Sequence, residues 1–160
     1  MKRLILMRHG KSSWTNPLLS DFDRPLNARG QRDIITMSDR LFDRKMMPEL
    51  IISSPAKRTK ITAEKVAEVL SKKLHFEKDF YNALFEDVLE SVRNLDNQLD
   101  TVMLVFHNPA ITDLRNYFLA DYLDNIPTSG MVGLEFSDAD DWSNLKNGKE
   151  LFFDFPKKVS

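Results

Sequence analysis

The sequence predicts an α/β protein, a three-layer α/β/α sandwich around a mostly parallel sheet. Two patterns carry that prediction: short, continuous apolar runs recur along the chain, and amphipathic helical spacings lie between them. Strands that alternate with helices in this way imply right-handed crossovers and a sheet covered on both faces. A third observation is composition: with 160 residues, 42% hydrophobic and 29% charged, the chain is globular and long enough for one buried core.

Leu4 to Met7 is the first strand, and Leu50 to Ile52 and Thr101 to Phe106 repeat its character. Ile34, Met37, Leu41 and Phe42 form the apolar face of a first helix, which Asn27 caps and whose first turn Gly30 weakens. Ala63, Val66, Ala67 and Leu70 mark a second, where Ser54-Pro55 fits an N-cap followed by proline at the first helical position. Val88, Val92, Leu95 and Leu99 mark a third, and Ile111, Leu114 and Phe118 a fourth. Met131 to Phe136 and Glu150 to Phe155 read as two late strands, paired as a hairpin across the polar stretch from Ser137 to Gly148. No internal repeat appears, residues 1–160 read as one domain, and Lys157 to Ser160 reads as a solvated tail.

Charge excludes some functions. With 23 Lys and Arg against 24 Asp and Glu, no global field draws the chain to nucleic acid or to an anionic membrane. The apolar run before Arg8 falls short of a secretion signal, and no later run approaches the ~20 residues of a membrane span. The absence of cysteine rules out disulfides and thiolate catalysis, and a cytoplasmic location is the expectation. The three histidines lack metal-type spacing, so neither a metal nor another cofactor is expected.

In open α/β sheets, ligands gather beyond the carboxyl ends of the strands. The first strand runs into Arg8-His9-Gly10, the second into Ser53-Ser54-Pro55-Ala56-Lys57-Arg58, and the third into His107-Asn108-Pro109. Two histidines and two arginines can meet there. Phosphoryl transfer needs a nucleophile and fixed positive charge around the phosphoryl oxygens. A neutral imidazole supplies the first near pH 7, guanidinium forks supply the second, and Gly10 lets backbone approach the anion.

These residues resemble the histidine phosphatase superfamily, with its Arg-His-Gly signature and its Ser-Ser-Pro-Ala-x-Arg segment. The likeness extends to Asp23-Arg24-Pro25-Leu26-Asn27-x-x-Gly30, to His107-Asn108-Pro109 and to Ile126-Pro127-Thr128-Ser129-Gly130. Within the superfamily, the short chain and the Asp-Arg-Pro-Leu element look like the SixA-type phosphohistidine phosphatases. The resemblance implies a phosphoglycerate mutase-like fold with His9 as nucleophile, Arg8 and Arg58 as phosphate clamp and His107 as donor to the phosphoryl oxygens. It places Arg24 near the pocket, and Ser12 and Asn16 are further candidates for holding phosphate or substrate.

Larger members use a glutamate to protonate the leaving oxygen. Glu86 is the candidate here, with Asp87, Asp21 and Asp23 as rivals, in a segment that looks shortened. A missing acid favours a phosphoramidate substrate, and a short chain favours an open pocket that admits a side chain presented by another protein. The implied partner is a phosphorylated protein, such as a histidine-phosphorylated phosphorelay domain. The alternatives are a small phosphoester and, in another class, an idle phosphoprotein-binding module. His75 reads as structural or exposed, Trp14 and Trp142 as packing groups, and Lys57, Lys60 and Lys65 as a solvated helix face.

Overall fold

A computed structural model describes residues 1–158. Its strands are β1 (Lys2–Arg8), β2 (Leu50–Ser53), β3 (Leu74–Phe76), β4 (Thr101–Phe106), β5 (Met131–Phe136) and β6 (Lys149–Asp154). Its helices are α1 (Ala28–Asp43), α2 (Lys57–Leu70), α3 (Phe85–Arg93) and α4 (Ala110–Phe118). The sheet order is β3-β2-β4-β1-β5-β6. The first four positions are mutually parallel, while β5 runs antiparallel to both β1 and β6. The late hairpin expected from the sequence is the β5–β6 pair.

Side chains alternate across the pleat and divide the core in two. Leu4, Leu6, Val102 and Leu104 pack with Val88 and Val92 of α3 and Ile111 and Leu114 of α4. Ile5, Met7, Met103 and Val105 pack with Ile34, Met37 and Leu41 of α1 and Ala63 and Val66 of α2. Both faces of the central strands are therefore dry, which is why their sequences read as unbroken apolar runs.

Asn27 caps α1 as expected, its side chain accepting from the Gly30 N–H at 2.8 Å. Gly30 does more than weaken that turn: a Cβ there would run into the Lys11 carbonyl and amide, so α1 starts against the loop that follows β1. The polar stretch before β6 contains a short 3-10 turn, Trp142–Asn144, whose Trp142 is fully buried.

Several expectations change. Strand β3 has no alternating pattern in the sequence, because His75 and Phe76 are both exposed at the sheet edge. Helix α3 stops at Arg93, after which an Asp96 side chain accepting from the Gln98 N–H turns the chain. Leu95 and Leu99 pack against the same core from beyond the helix. Phe42 is 52% exposed instead of lying on the buried face of α1. Ser54 does not cap α2, whose N-cap is Ala56. Of the predicted tail, Lys157 and Lys158 are exposed, while Val159 and Ser160 lie outside the described residues. Among the described residues, no helix is long and apolar enough to cross a membrane.

Candidate active site

Strand β1 and its parallel neighbour β4 lead into helices on opposite faces of the sheet, α1 and α4, so their carboxyl ends flank a crevice between diverging connections. His9 emerges there, 7% exposed. Its backbone is fixed from both sides: its N–H donates to the Phe106 carbonyl, and its carbonyl accepts from Ser129 at 2.9 Å. The ring is fixed as well, with Nδ1 at 2.7 Å from the Gly10 carbonyl. A carbonyl can only accept, so the proton sits on Nδ1 and Nε2 keeps a free lone pair. Burial, followed by the charges of Arg58 and Arg8, overrides this hydrogen bond and depresses the His9 pKa to about 4. The imidazole is neutral and nucleophilic at pH 7.

His107 leaves the end of β4, its ring centroid 5.3 Å from that of His9. Its Nε2 lies 2.8 Å from Ser54 Oγ, and that oxygen accepts from the Ala56 N–H at 3.3 Å. Burial, then the neighbouring His9 and Arg58, lowers its pKa to about 3.

Arg58 and Arg8 act on both imidazoles, and Arg24 acts on the neighbouring Asp21. Arg58, in the first turn of α2, donates Nη1 to the Asp21 carbonyl at 2.6 Å and Nη2 to Asp21 Oδ2 at 3.0 Å. Arg8 donates Nη1 to the Ile126 carbonyl at 2.8 Å and meets Asn125 Oδ1 at 3.5 Å. Burial and the charge of Arg58 lower its pKa. Arg24 is buried with its guanidinium 3.6 Å from the centroid of the Trp14 ring. Arg8 Nε, Arg24 Nε and His107 Nδ1 are buried and bonded to no protein group. The fixed charges of Arg8 and Arg58 beside two neutral imidazoles suit an anion.

The loop contacts explain the remaining motifs. The Ile126-to-Gly130 run holds the end of β1, through the Ile126 carbonyl on Arg8, the Ser129 N–H on His9 and the Gly130 carbonyl on the Arg8 N–H. Thr62 of α2 accepts from the Gly10 N–H at 3.1 Å.

A family model described as the histidine phosphatase superfamily (branch 1) matches residues 4–88. The chain belongs to the histidine phosphatase superfamily. An uncharacterized chloroplastic protein of Arabidopsis thaliana is 34% identical over 118 residues, which are 67% of this chain and 54% of that one. This chain thus spans about half the length of that curated relative. Among solved structures, a candidate phosphohistidine phosphatase SixA from Agrobacterium tumefaciens is 28% identical, with a TM-score of 0.85 over 97% of this chain and 98% of that one. The protein histidine phosphatase SixA in complex with tungstate is 21% identical, with a TM-score of 0.82 over 96% of this chain and 97% of that one. A mycobacterial glucosyl-3-phosphoglycerate phosphatase bound to VO3 shares the fold at 17% identity, with a TM-score of 0.72 over 95% of this chain and 98% of that one.

Of the residues that the superfamily resemblance singled out, His9, Arg8, Arg58 and His107 converge on one crevice, as the ring distance and the mutual charge effects show. Others take different places. The Gly10 N–H is occupied by Thr62, so Gly10 serves through its carbonyl on His9 and through close packing, where a Cβ would press on Ile34 and Leu26. Ser12 makes an isolated bridge to Leu26. Asn16 is exposed and turns its side chain to the Leu18 N–H within its own loop. Glu86 is exposed in the first turn of α3, and Asp87 caps that helix by accepting from the Leu84 N–H.

Asp21, one of the rival acids, is the carboxylate that reaches the arginines. The hydrogen bond from Tyr81 and the contacts with Arg58 lower its pKa, which leaves it without a proton to give at neutral pH. Tyr81 went unnoticed in the sequence, although it stands edge-on to His107 at 5.6 Å between ring centroids. It follows β3, so recognising that strand would have flagged it by the same strand-end rule.

Proposed function

We propose that the protein is a phosphatase that acts through a covalent phosphohistidine on His9. The fixed tautomer of His9 carries this reading: Nδ1–H is spent on the Gly10 carbonyl, and the free Nε2 lies beside His107 under the influence of two guanidinium groups. Nε2 attacks phosphorus as the leaving group departs on the opposite side. Water then attacks the phosphohistidine from the vacated side, loses its proton and releases inorganic phosphate, restoring Nε2. Arg8 and Arg58 hold the phosphoryl oxygens throughout. His107 donates from Nδ1, a tautomer that Ser54 supports by donating its hydroxyl to Nε2.

The substrate we infer is a phosphohistidine side chain on a partner protein of the phosphorelay type, with residues 1–160 acting as one domain. Two features support it. Asp21 is ionised and Glu86 is exposed in the first turn of α3, so neither offers a proton to a leaving alkoxide, and an imidazole, which leaves neutral once its other ring nitrogen has taken a proton from solvent, is the better match. A solved structure that shares the fold at 28% identity is described as a candidate phosphohistidine phosphatase. No step calls on a metal, and among the described residues no cluster of His, Asp or Glu is suited to hold one.

The test is hydrolysis of a phosphohistidine peptide and of a generic phosphoester by the wild-type protein, His9→Ala and Arg58→Ala. The reading expects turnover of the peptide, loss of it in both variants, and a phosphoenzyme on wild type alone after acid-free quenching. Full activity in His9→Ala ends the mechanism, faster phosphoester turnover shifts the substrate to small molecules, and phosphopeptide binding without turnover supports an idle binding module.

A further inference from the structure

We propose that Asp21 is a positioning residue that sets the guanidinium of Arg58 for the anion, and that Tyr81 in turn holds the Asp21 carboxylate. The inference rests on the phosphatase reading only for the identity of the anion. Asp21 grips Arg58 at two points, with its backbone carbonyl 2.6 Å from Nη1 and its Oδ2 3.0 Å from Nη2. That fork fixes the plane of the guanidinium and leaves Nε–H and one N–H on each terminal nitrogen for another ligand. The same Oδ2 accepts from Tyr81 Oη at 2.7 Å, so one oxygen joins a residue after β3 to a residue of α2.

The arrangement spans three separate parts of the chain. Asp21 lies in the loop between β1 and α1, and that loop is held to the crevice by neighbouring contacts of the same kind. Phe22 meets Tyr81 edge-on at 5.0 Å, and its carbonyl accepts from the Lys57 N–H at 2.9 Å. Arg58 is 9% exposed, whereas the Asp21 side chain is about half exposed, so the carboxylate is reached from solvent while the guanidinium is walled in. A long flexible side chain placed on the first turn of a helix gains most from such a grip, because the entropy of ordering it is met before the ligand arrives.

Charge and geometry predict opposite signs here. Removing a carboxylate next to an anion site should strengthen anion binding if charge alone mattered. If orientation matters more, removing it should weaken binding. The measurement is the affinity for inorganic phosphate by titration calorimetry, with wild type, Asp21→Ala, Asp21→Asn and Tyr81→Phe, each checked for cooperative melting. Hydrogen-bond partners that orient the ligands of a metal are worth about 10- to 100-fold, and by the same logic Asp21→Ala should lose about tenfold in phosphate affinity. Asp21→Asn keeps an oxygen able to accept from both Arg58 and Tyr81, and it should bind phosphate at least as tightly as wild type. Tyr81→Phe should lose less than Asp21→Ala, in the same direction.

Unchanged or tighter phosphate binding by Asp21→Ala overturns the proposal. Equal losses in Asp21→Ala and Asp21→Asn also overturn it, since the oxygen that keeps both hydrogen bonds would then preserve nothing. The phosphatase reading fails separately: wild type that binds phosphate but turns over neither phosphohistidine nor phosphoester refutes that reading and leaves the Asp21 result standing.

Discussion

Acidification should destabilise this protein through its two buried imidazoles before most of its carboxylates titrate. In the unfolded chain a histidine takes a proton near pH 6.5, whereas His9 in the fold resists until about 4 and His107 until about 3. Between those limits the unfolded state binds more protons, so stability is greatest above pH 6.5 and falls as the pH drops. At about 1.4 kcal/mol per pH unit and per histidine, moving from pH 6.5 to 4.5 costs about 2 to 3 kcal/mol for each ring. The two rings share part of that cost, because His9 is itself among the causes that depress His107. Below the folded pKa values the penalty stops growing, as both states are then protonated. The assay is urea denaturation at pH 7 and pH 4.5 for wild type and His9→Asn. The carboxylates contribute equally to both proteins, so the variant should lose about 2 kcal/mol less than wild type over that interval. Equal losses would show that His9 titrates normally in the fold, and the argument for an electropositive, desolvated crevice would collapse.

Other consequences are tested more simply. Inorganic phosphate or tungstate should raise the melting temperature, by the equivalent of about 2.7 kcal/mol at one hundred times Kd, and Arg58→Ala should abolish the rise; thermal scans against anion concentration decide it. Asn125 touches Arg8 and is itself held by the Asn108 side chain at 2.9 Å, so Asn125→Ala should raise KM for phosphorylated substrate more than it lowers melting temperature; steady-state kinetics beside a thermal scan check this. Gly30→Ala, a change that normally favours a helix, should instead cost about 1 to 3 kcal/mol, because the new Cβ meets the Lys11 backbone; a denaturant midpoint that does not fall would contradict it.

Much of the fold was legible because burial on both faces of a strand leaves a one-dimensional trace. Leu4 to Met7 and Thr101 to Phe106 could be read directly, and the residues after them turned out to share a crevice. The edge strand Leu74–Phe76 left no such trace, since an edge has one covered side and the strand is three residues long. The helical spacing runs past the end of α3 because Leu95 and Leu99 keep it while packing from turns, and spacing alone cannot tell the two apart. Among the candidate site residues, Asn16 and Glu86 are exposed, and Asn16 is turned to the Leu18 N–H of its own loop.

By itself the sequence determined the alternation of strands and helices, and with it the end of the sheet at which Arg8, His9, Arg58 and His107 emerge. These follow from local pattern, because hydrophobic periodicity and strand direction are set residue by residue. Only the tertiary structure decided which nitrogen of His9 is free, how far both imidazoles are desolvated, and which carboxylate faces Arg58. Those properties depend on the Gly10 carbonyl orientation, on Asp21 and on Tyr81. Asp21 meets Arg58 across 37 residues of chain, and Tyr81 meets Asp21 across 60. Hydrogen-bond direction and dielectric surroundings belong to groups that meet only after folding, so no stretch of sequence carries them alone.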